Sequence, residues 1–191
     1  ELISDHCPKC RYLIVNEAGA SIYSASEVAR TEFPELDATV RGTISIGRRL
    51  QDPLSELVKI EPQHIGVGMY QHDISAKLMK NSLDGVVESC VNYVGVNLNT
   101  ASASLLGYVS GLNQLIARRV VEWRETNGPF SARRQLLEVS GIGDSTYTQA
   151  AGFLKITDGD EPLDATWIHP ESYEMAKQVL QTSGVTVDDL L

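Results

Sequence analysis

The feature that most constrains this chain is an internal repeat. VSGLNQLIARRVV at 109–121 and VSGIGDSTYTQAA at 139–151 share Val-Ser-Gly, an apolar residue and a helical pattern. Each copy predicts a helix, a tight turn and a second helix, and two such units side by side bury one apolar seam. We expect that seam to be built from Leu105, Leu106, Ile116, Val120, Leu136, Leu137, Ala150 and Phe153.

Capping signals predict the remaining elements, because side chains that accept hydrogen bonds from free amides mark helix starts. Upstream they predict helices at 25–32 from a box of Ser24 and Glu27, at 38–50 from Asp37 and at 53–59 from Asp52, and a long helix from Asp73 to Gly95. An apolar, partly β-branched run predicts a short buried strand at 11–15. Downstream they predict helices from Asn99 to about 108, up to Glu125, from Ser131 to Glu138, at about 145–154 and at 171–182, with a loop-like stretch up to Thr166. The long helix carries an apolar stripe, which we read as core: Leu83, Val86, Val87, Cys90, Val91 and Val94.

The two turns are candidate phosphate sites. Glycine lets the backbone approach a phosphate, and the free amides and dipole of the following helix favour an anion. The second turn keeps Gly-apolar-Gly in Gly141, Ile142 and Gly143 but continues with Asp144 and Ser145 instead of a small residue and Lys. We expect Asp144 to be an N-cap that competes with a phosphate for these amides. In the first turn, Gly111, Leu112 and Asn113, an Asn that tolerates the left-handed region replaces the second glycine.

Basic side chains surround the turns and favour the nucleic-acid interpretation, since Arg pairs with phosphate in bidentate fashion. They are Arg118, Arg119, Arg124, Arg133 and Arg134. A solvated face paired with Glu122 and Glu125 explains the same arginines equally well. The predicted nucleic-acid contacts are Gly111, Leu112, Asn113, Arg118, Arg119, Arg124, Gly141, Ile142, Gly143 and Ser145.

Charge is unevenly distributed and points to the same segment. The chain has a formal net charge of −9, which argues against a general binder of polyanions. Residues 99–156 carry six basic and four acidic side chains, whereas 157–191 carry one basic and eight acidic ones. The repeat is therefore where nucleic acid is expected to bind, if any binds.

These residues resemble a known family. The text at 99–154 looks like a tandem helix-hairpin-helix module, similar to the DNA-receptor module of ComEA. NEAGASIYSASEVA at 16–29 and ISIGRRLQDPLSELVKIEPQHIGVGMYQHDIS at 44–75 resemble the Tex family of transcription accessory proteins, which includes a eukaryotic relative named for its OB-fold RNA-binding domain.

The resemblance implies a mainly α fold, with a tandem helix-hairpin-helix bundle preceded by an incomplete α/β ribonuclease H-like (YqgF-like) portion. The implied order is the C-terminal part of that domain at 1–75, a connecting helix at 76–98, the hairpin domain at 99–156, and an acidic linker with the start of the next helical element at 157–191. The first half of the ribonuclease H-like domain is expected upstream and the OB-fold domain downstream. Family members are generally regarded as having lost the nuclease site, so the resemblance implies no enzyme activity.

Three other interpretations remain open. The hairpins could be purely structural parts of a protein–protein scaffold, which the acidic tail favours. A metal-dependent nuclease needs several carboxylates around two ions, and Glu17 and Asp73 are the candidates. Cys7 and Cys10 form a CxxC pair, but structural zinc usually needs two such pairs.

The compartment and partners follow from composition and the resemblance. Three cysteines do not make a disulfide framework. An intracellular chain is expected, cytoplasmic in a bacterium and nuclear or cytoplasmic in a eukaryote. We expect no cofactor and no membrane; the expected partners are RNA or DNA and the transcription or translation machinery.

Overall fold

The computed structural model describes residues 13–66 and 68–190, which fall into two compact units. The first unit runs to Ile60 and includes His64–Gly66, and the second holds Glu61–Gln63 and the rest of the chain. The chain is mainly helical, as the sequence predicts. The strand predicted at 11–15 falls partly outside the described residues, and its described part is wrong: Leu13 and Ile14 are exposed and have no regular structure.

The described residues of the first unit form four helices, α1 (Ala20–Ala25), α2 (Glu27–Glu32), α3 (Ala38–Gln51) and α4 (Pro53–Leu57). The predicted caps of α3 and α4 are confirmed, because Asp37 accepts from the amide of Val40 at 2.9 Å and Asp52 from that of Ser55 at 3.0 Å. The predicted box at Ser24 is wrong. Ser26 caps α2 instead, accepting from the Ala29 amide at 3.1 Å.

Charged side chains hold this unit together beside a small apolar core of Tyr23, Ala29 and Ile60. Lys59 Nζ donates to Glu56 Oε1 at 2.6 Å and lies 2.9 Å from Glu32 Oε1. Glu56 is buried and also accepts from the Ser45 hydroxyl at 3.0 Å. Because the buried Lys59 and Glu56 pair with each other, neither of these two charges is left without a partner.

A 3₁₀ turn at Pro62–His64 has residues in both units. In the second unit, a 3₁₀ turn at Gln71–Asp73 is followed by the long helix α5 (Ala76–Val94). Its N-cap is Ser75, so Asp73 does not cap it, and Gly95 ends it as predicted. The apolar stripe is core only at Val91: Val86 and Val94 are more than half exposed, and Cys90 is exposed. The core interpretation of the stripe is therefore wrong. The last turns of α5 contact the hairpin module, where the side chain of Asn92 accepts from the Ser110 amide at 3.1 Å.

The hairpin module lies between two short parallel strands. In chain order it comprises β1 (Val96–Asn97), α6 (Ala103–Leu106), α7 (Gln114–Asn127), a 3₁₀ helix (Arg133–Glu138), α8 (Asp144–Ala151) and β2 (Leu154–Lys155). Val96 N donates to Phe153 O at 2.8 Å, and Leu98 N donates to Lys155 O at 2.9 Å. The strands thus clasp the start of the module to its end.

Two predicted caps in the module belong to other residues. Ser102 caps α6 by accepting from Leu105 N at 3.3 Å. Asn99, the predicted cap, instead pairs with Phe130: its side chain accepts from Phe130 N at 2.8 Å and donates to Phe130 O at 2.9 Å. Ser131 is not a cap either, because the N-cap of the 3₁₀ helix is Ala132, and the Ser131 amide donates to the Gln135 side chain at 2.7 Å.

The predicted seam is the core of the module. Six of its members are buried: Leu105, Leu106, Ile116, Val120, Leu136 and Ala150. Leu137 and Phe153 are only partly buried, so the prediction is wrong for these two. After β2 the chain forms 3₁₀ turns at Pro162–Ala165 and Pro170–Ser172, helix α9 (Tyr173–Ser183) and a 3₁₀ turn at Val187–Leu190. The stretch up to Thr166 is not simply loop, because Leu163 and Asp164 are buried.

Candidate nucleic-acid interface

Within the hairpin module, the hairpin of each repeat copy packs against the second helix of the other copy. Gly111 has φ +86°, and a Cβ there would lie 2.8 Å from Gln149 Cβ and 3.2 Å from Thr146 O on α8. Gly141 has φ +96°, and a Cβ there would lie 2.7 Å from Arg119 Nη1 on α7. Both positions need glycine for conformation and for close approach. This reciprocal packing is the arrangement that the repeat predicts.

The apolar residue at each hairpin tip is an anchor. Leu112 and Ile142 are buried, with 8% and 7% exposed. Their amides donate within the turn, Leu112 N to Val109 O and Ile142 N to Val139 O, both at 3.0 Å. Both residues were predicted nucleic-acid contacts, but their amides already donate within the turns. Leu112 and Ile142 therefore fix the turns that present the neighbouring amides.

The second hairpin presents a helix start that no side chain caps. Gly143 is the N-cap of α8, with φ −105° and ψ 178°, and Asp144 is the first helical residue. The prediction that Asp144 caps this helix is therefore wrong. In the described part of the chain no group accepts from the amides of Asp144 and Ser145, and both residues are exposed. These donors and the helix dipole together form an anion-binding geometry.

The first hairpin is occupied by protein groups. Asn113 has φ −118°, not the left-handed conformation expected, and its Oδ1 caps α7 by accepting from Ile116 N at 2.9 Å. Ser110 N donates to Asn92 Oδ1 at 3.1 Å, and the Ser110 hydroxyl donates to Glu88 Oε1 at 3.0 Å. A concavity of about 530 Å³ beside this hairpin is lined by Lys80, which lies 3.3 Å from Asp84, and by the carboxylates of Asp84 and Glu88, so its carboxylates outnumber its cation. Negative charge there opposes a phosphate.

The arginines of α7 differ in what they are free to do. Arg118 is exposed and forms no hydrogen bond or ion pair with the described residues. Arg119 Nη1 donates to Ser140 O at 3.0 Å, which holds its guanidinium beside the second hairpin. Arg124 Nη1 donates to Leu98 O at 3.0 Å, and burial lowers the pKa of Arg124. Arg124 is thus a structural contact at the base of the module.

Arg133 does not belong to a basic surface. It is 1% exposed, and its guanidinium donates to three carbonyls, those of Leu154 at 2.5 Å, Thr166 at 2.6 Å and Ile168 at 2.8 Å. Its Nη1 also donates to Tyr173 Oη at 2.8 Å, and its amide donates to Asp164 Oδ2 at 2.7 Å. Only the adjacent Arg134 is exposed. The sequence could not reveal this role, because the partners lie at 154–173.

Comparison with known proteins agrees with this geometry. The helix-hairpin-helix motif model matches residues 91–155, the model of the Tex protein YqgF-like domain matches 1–51, and an HHH domain model matches 161–191. The Transcriptional accessory protein Tex of Neisseria gonorrhoeae is 56% identical over 179 residues, covering 94% of this chain and 24% of that protein. The chain belongs to the Tex family.

Other Tex relatives extend the same match. Protein YhgF of Escherichia coli (strain K12) is 55% identical to this chain. The match covers 94% of this chain and 23% of Protein YhgF. The S1 RNA-binding domain-containing protein 1 of Homo sapiens is 44% identical to this chain. The match covers 92% of this chain and 22% of that protein. The chain thus spans about a quarter of the length of the curated relatives that it matches.

The nuclease and zinc sites that the sequence left open are not supported by the described residues of this Tex chain. Over residues 13–66 and 68–190, no group of three or more His, Cys, Asp and Glu side chains could hold a metal ion. Glu17 is exposed, and Asp73 lies in a 3₁₀ turn. The CxxC pair of Cys7 and Cys10 lies outside the described residues. Among described helices, none has the length and apolar character needed to cross a membrane.

Three aromatic side chains outside the predicted contacts differ in their exposure. Trp123 is partly buried and stacks on Phe130, with centroids 4.2 Å apart and planes at 15°. Tyr70 is 70% exposed in the loop before α5. Sequence reasoning missed Trp167, which is 52% exposed and lies against Lys155. No periodicity marks Trp167, because it lies between two 3₁₀ turns.

Proposed function

We propose that this chain binds nucleic acid without sequence preference, as a non-catalytic part of a transcription accessory protein. The uncapped start of α8 after Gly141-Ile142-Gly143 carries the proposal, because the free amides of Asp144 and Ser145 suit a phosphate oxygen. Contacts of this kind position a nucleic acid but read no bases. Two relatives, named a transcriptional accessory protein and an S1 RNA-binding domain-containing protein, support the same role.

Arg119 and Arg118 complete the proposed phosphate site. The Arg119 guanidinium is fixed beside the hairpin by its bond to Ser140 O, and its remaining N–H groups can reach a neighbouring phosphate. Arg118, the residue before Arg119 on α7, is exposed and has no partner among the described residues. We propose that the first hairpin, Gly111 to Asn113, contributes less, because Asn113 caps its helix and Glu88 binds its serine.

A titration at several salt concentrations tests this proposal. Fluorescence anisotropy with labelled oligonucleotides should show affinity that falls as salt rises from about 50 to 200 mM, because phosphate contacts release counterions. Arg119→Gln should weaken binding of every sequence and reduce the salt slope by about 1. Arg30→Gln is the matched control, since Arg30 is an exposed arginine of the first unit.

A second variant separates the hairpin from general charge. A Cβ at Gly143 meets no heavy atom within 4 Å, so Gly143→Ala is expected to fold normally. It should still weaken binding several-fold if a phosphate approaches this backbone. Binding that ignores salt and both variants would overturn the proposal.

A protein–protein scaffold is the second candidate, favoured by the net charge of −9 and by the contacts of the first hairpin with α5. A scaffold predicts no salt-dependent binding of any oligonucleotide.

A further inference from the structure

Aromatic side chains gather in a second concavity of about 800 Å³ within the second unit. It is lined by Ser89, Asn92, Tyr93, Val94, Gly152, Phe153 and Trp167. Tyr93 is 85% exposed and Trp167 52% exposed. Large aromatic side chains grouped at a surface indicate a binding site, because a protein gains nothing by leaving them in water.

The indole of Trp167 is held in place from one side. Lys155 Nζ lies 3.4 Å from the ring centroid, a cation–π contact. Gly95 allows the ring to approach the end of α5, since a Cβ there would lie 2.9 Å from two ring carbons. The end of α5 and strand β2 thus fix the ring while half of the residue stays exposed.

The charge of this concavity favours nucleic acid over a cationic partner. Its described lining contains no carboxylate, and Ser89 supplies a polar group, whereas the amide of Asn92 is bound to Ser110. The ammonium of Lys155 lies at its edge, over Trp167. The concavity beside the first hairpin differs, because its lining contains the carboxylates of Asp84 and Glu88 against one cation, Lys80. Exposed aromatic rings next to a cation form the usual platform for unpaired bases and their phosphates.

Helix α8 connects this concavity to the proposed phosphate site. The helix begins after Gly143, and Gly152 and Phe153 of the concavity follow its last residue, Ala151. Its 8 residues span about 12 Å at 1.5 Å per residue. That length corresponds to about three nucleotides of a stacked strand, at roughly 3.4 Å each. One strand can therefore reach both places.

We infer that the Tyr93–Trp167 concavity stacks unpaired bases of the same strand whose phosphate the second hairpin binds. This inference rests on the proposed function and specifies its ligand as single-stranded nucleic acid. A duplex keeps its base faces inside its own stack, so it engages the hairpin alone.

Competing measurements on single strands and duplexes test the inference. In anisotropy titrations, the chain should bind a single strand of mixed sequence more tightly than the duplex of that sequence. Trp167→Ala and Tyr93→Ala should each weaken single-strand binding by about tenfold and leave duplex binding unchanged. Tyr70→Ala is the matched control, an exposed tyrosine 70% accessible in the loop before α5.

Tryptophan emission provides a direct signal of stacking. Oligonucleotide binding should quench the emission of the chain and of Trp123→Phe, and the quenching should be lost in Trp167→Phe. Trp167→Phe should keep most of the affinity, because phenylalanine still stacks. Since Tyr93 is almost fully exposed, Tyr93→Ala tests the site even if Trp167→Ala unfolds.

The outcomes separate this inference from the proposed function. If Gly143→Ala weakens binding while Tyr93→Ala and Trp167→Ala leave single-strand affinity unchanged, the stacking site is overturned and the hairpin site stands. If sedimentation shows that Tyr93→Ala disrupts self-association and spares oligonucleotide binding, the concavity belongs to a second copy and the inference is overturned. If no oligonucleotide binds, the proposed function fails and the inference with it.

Discussion

Arg119 lies directly on the backbone of Gly141. Its Nη1 donates to Ser140 O at 3.0 Å and would be 2.7 Å from a Cβ on the glycine. One side chain therefore holds the turn of the second hairpin, and a Cβ at Gly141 would displace the end of that side chain. Because the same guanidinium is proposed to meet phosphate, the stability of this turn and its binding are linked through Arg119.

Gly141→Ala should destabilise the module, whereas Gly143→Ala should not. Gly141 has φ +96°, a conformation that costs an L-residue about 1–2 kcal/mol, and its Cβ would displace Arg119. Gly143 has φ −105° and open space around it, so the free energy of unfolding of Gly143→Ala should stay within about 0.5 kcal/mol of the parent value. Urea unfolding of both variants checks this, and equal losses would contradict it.

Arg133→Met should cost about 3–5 kcal/mol, because it leaves Asp164 without its buried cation and several buried carbonyls without a donor. Arg134→Met is the matched control, since Arg134 is exposed, and it should stay within about 0.5 kcal/mol. Urea midpoints at equal slope measure both. Similar midpoints for the two variants would mean that the cluster does not stabilise the fold.

Tyr173 makes the same cluster sensitive to alkali. Burial, and then its hydrogen bond to Asp164, raise the pKa of Tyr173 above its usual value. The folded state therefore favours the neutral phenol, so its contribution is complete below the unfolded pKa of about 10 and is lost as pH rises above it.

Tyr173→Phe should consequently lose about 1–3 kcal/mol at neutral pH, since Asp164 loses a donor. It should also show a flatter decline of the unfolding free energy between about pH 9 and pH 11 than the parent. An unchanged alkaline slope would assign the decline to other buried phenols, such as Tyr23, whose pKa burial also raises.

The sequence predicts what depends on neighbouring residues. Asp37 and Asp52 cap their helices as expected, because a cap needs only a carboxylate and an amide three residues away. The glycine turns follow from local conformation in the same way. Asp144 misleads, because burial of Ile142 sets the turn and moves the cap to Gly143.

Contacts between distant parts of the chain explain the other differences. Arg133 resembles the exposed Arg134 in sequence, yet its partners lie more than 20 positions away. Asn99 resembles a cap but pairs with Phe130, 31 positions away. The stripe containing Cys90 has helical periodicity, but periodicity alone does not specify which neighbour covers it. Trp167 carries no pattern and becomes visible only beside Gly95 and Lys155.

Asp144→Asn tests the charge at the proposed phosphate site. Asp144 is the first residue of α8 and makes no capping hydrogen bond, so the change removes only a favourable interaction with the helix dipole. Such interactions contribute about 0.3–1 kcal/mol, and stability should fall by no more than that. Binding should become tighter at low salt, because the negative charge beside the free amides disappears, and the gain should fade as salt screens it. Glu35→Gln makes the same charge change on an exposed residue of the first unit and should leave affinity unchanged. If Asp144→Asn and Glu35→Gln bind a single strand equally at low salt, the second hairpin does not face the nucleic acid.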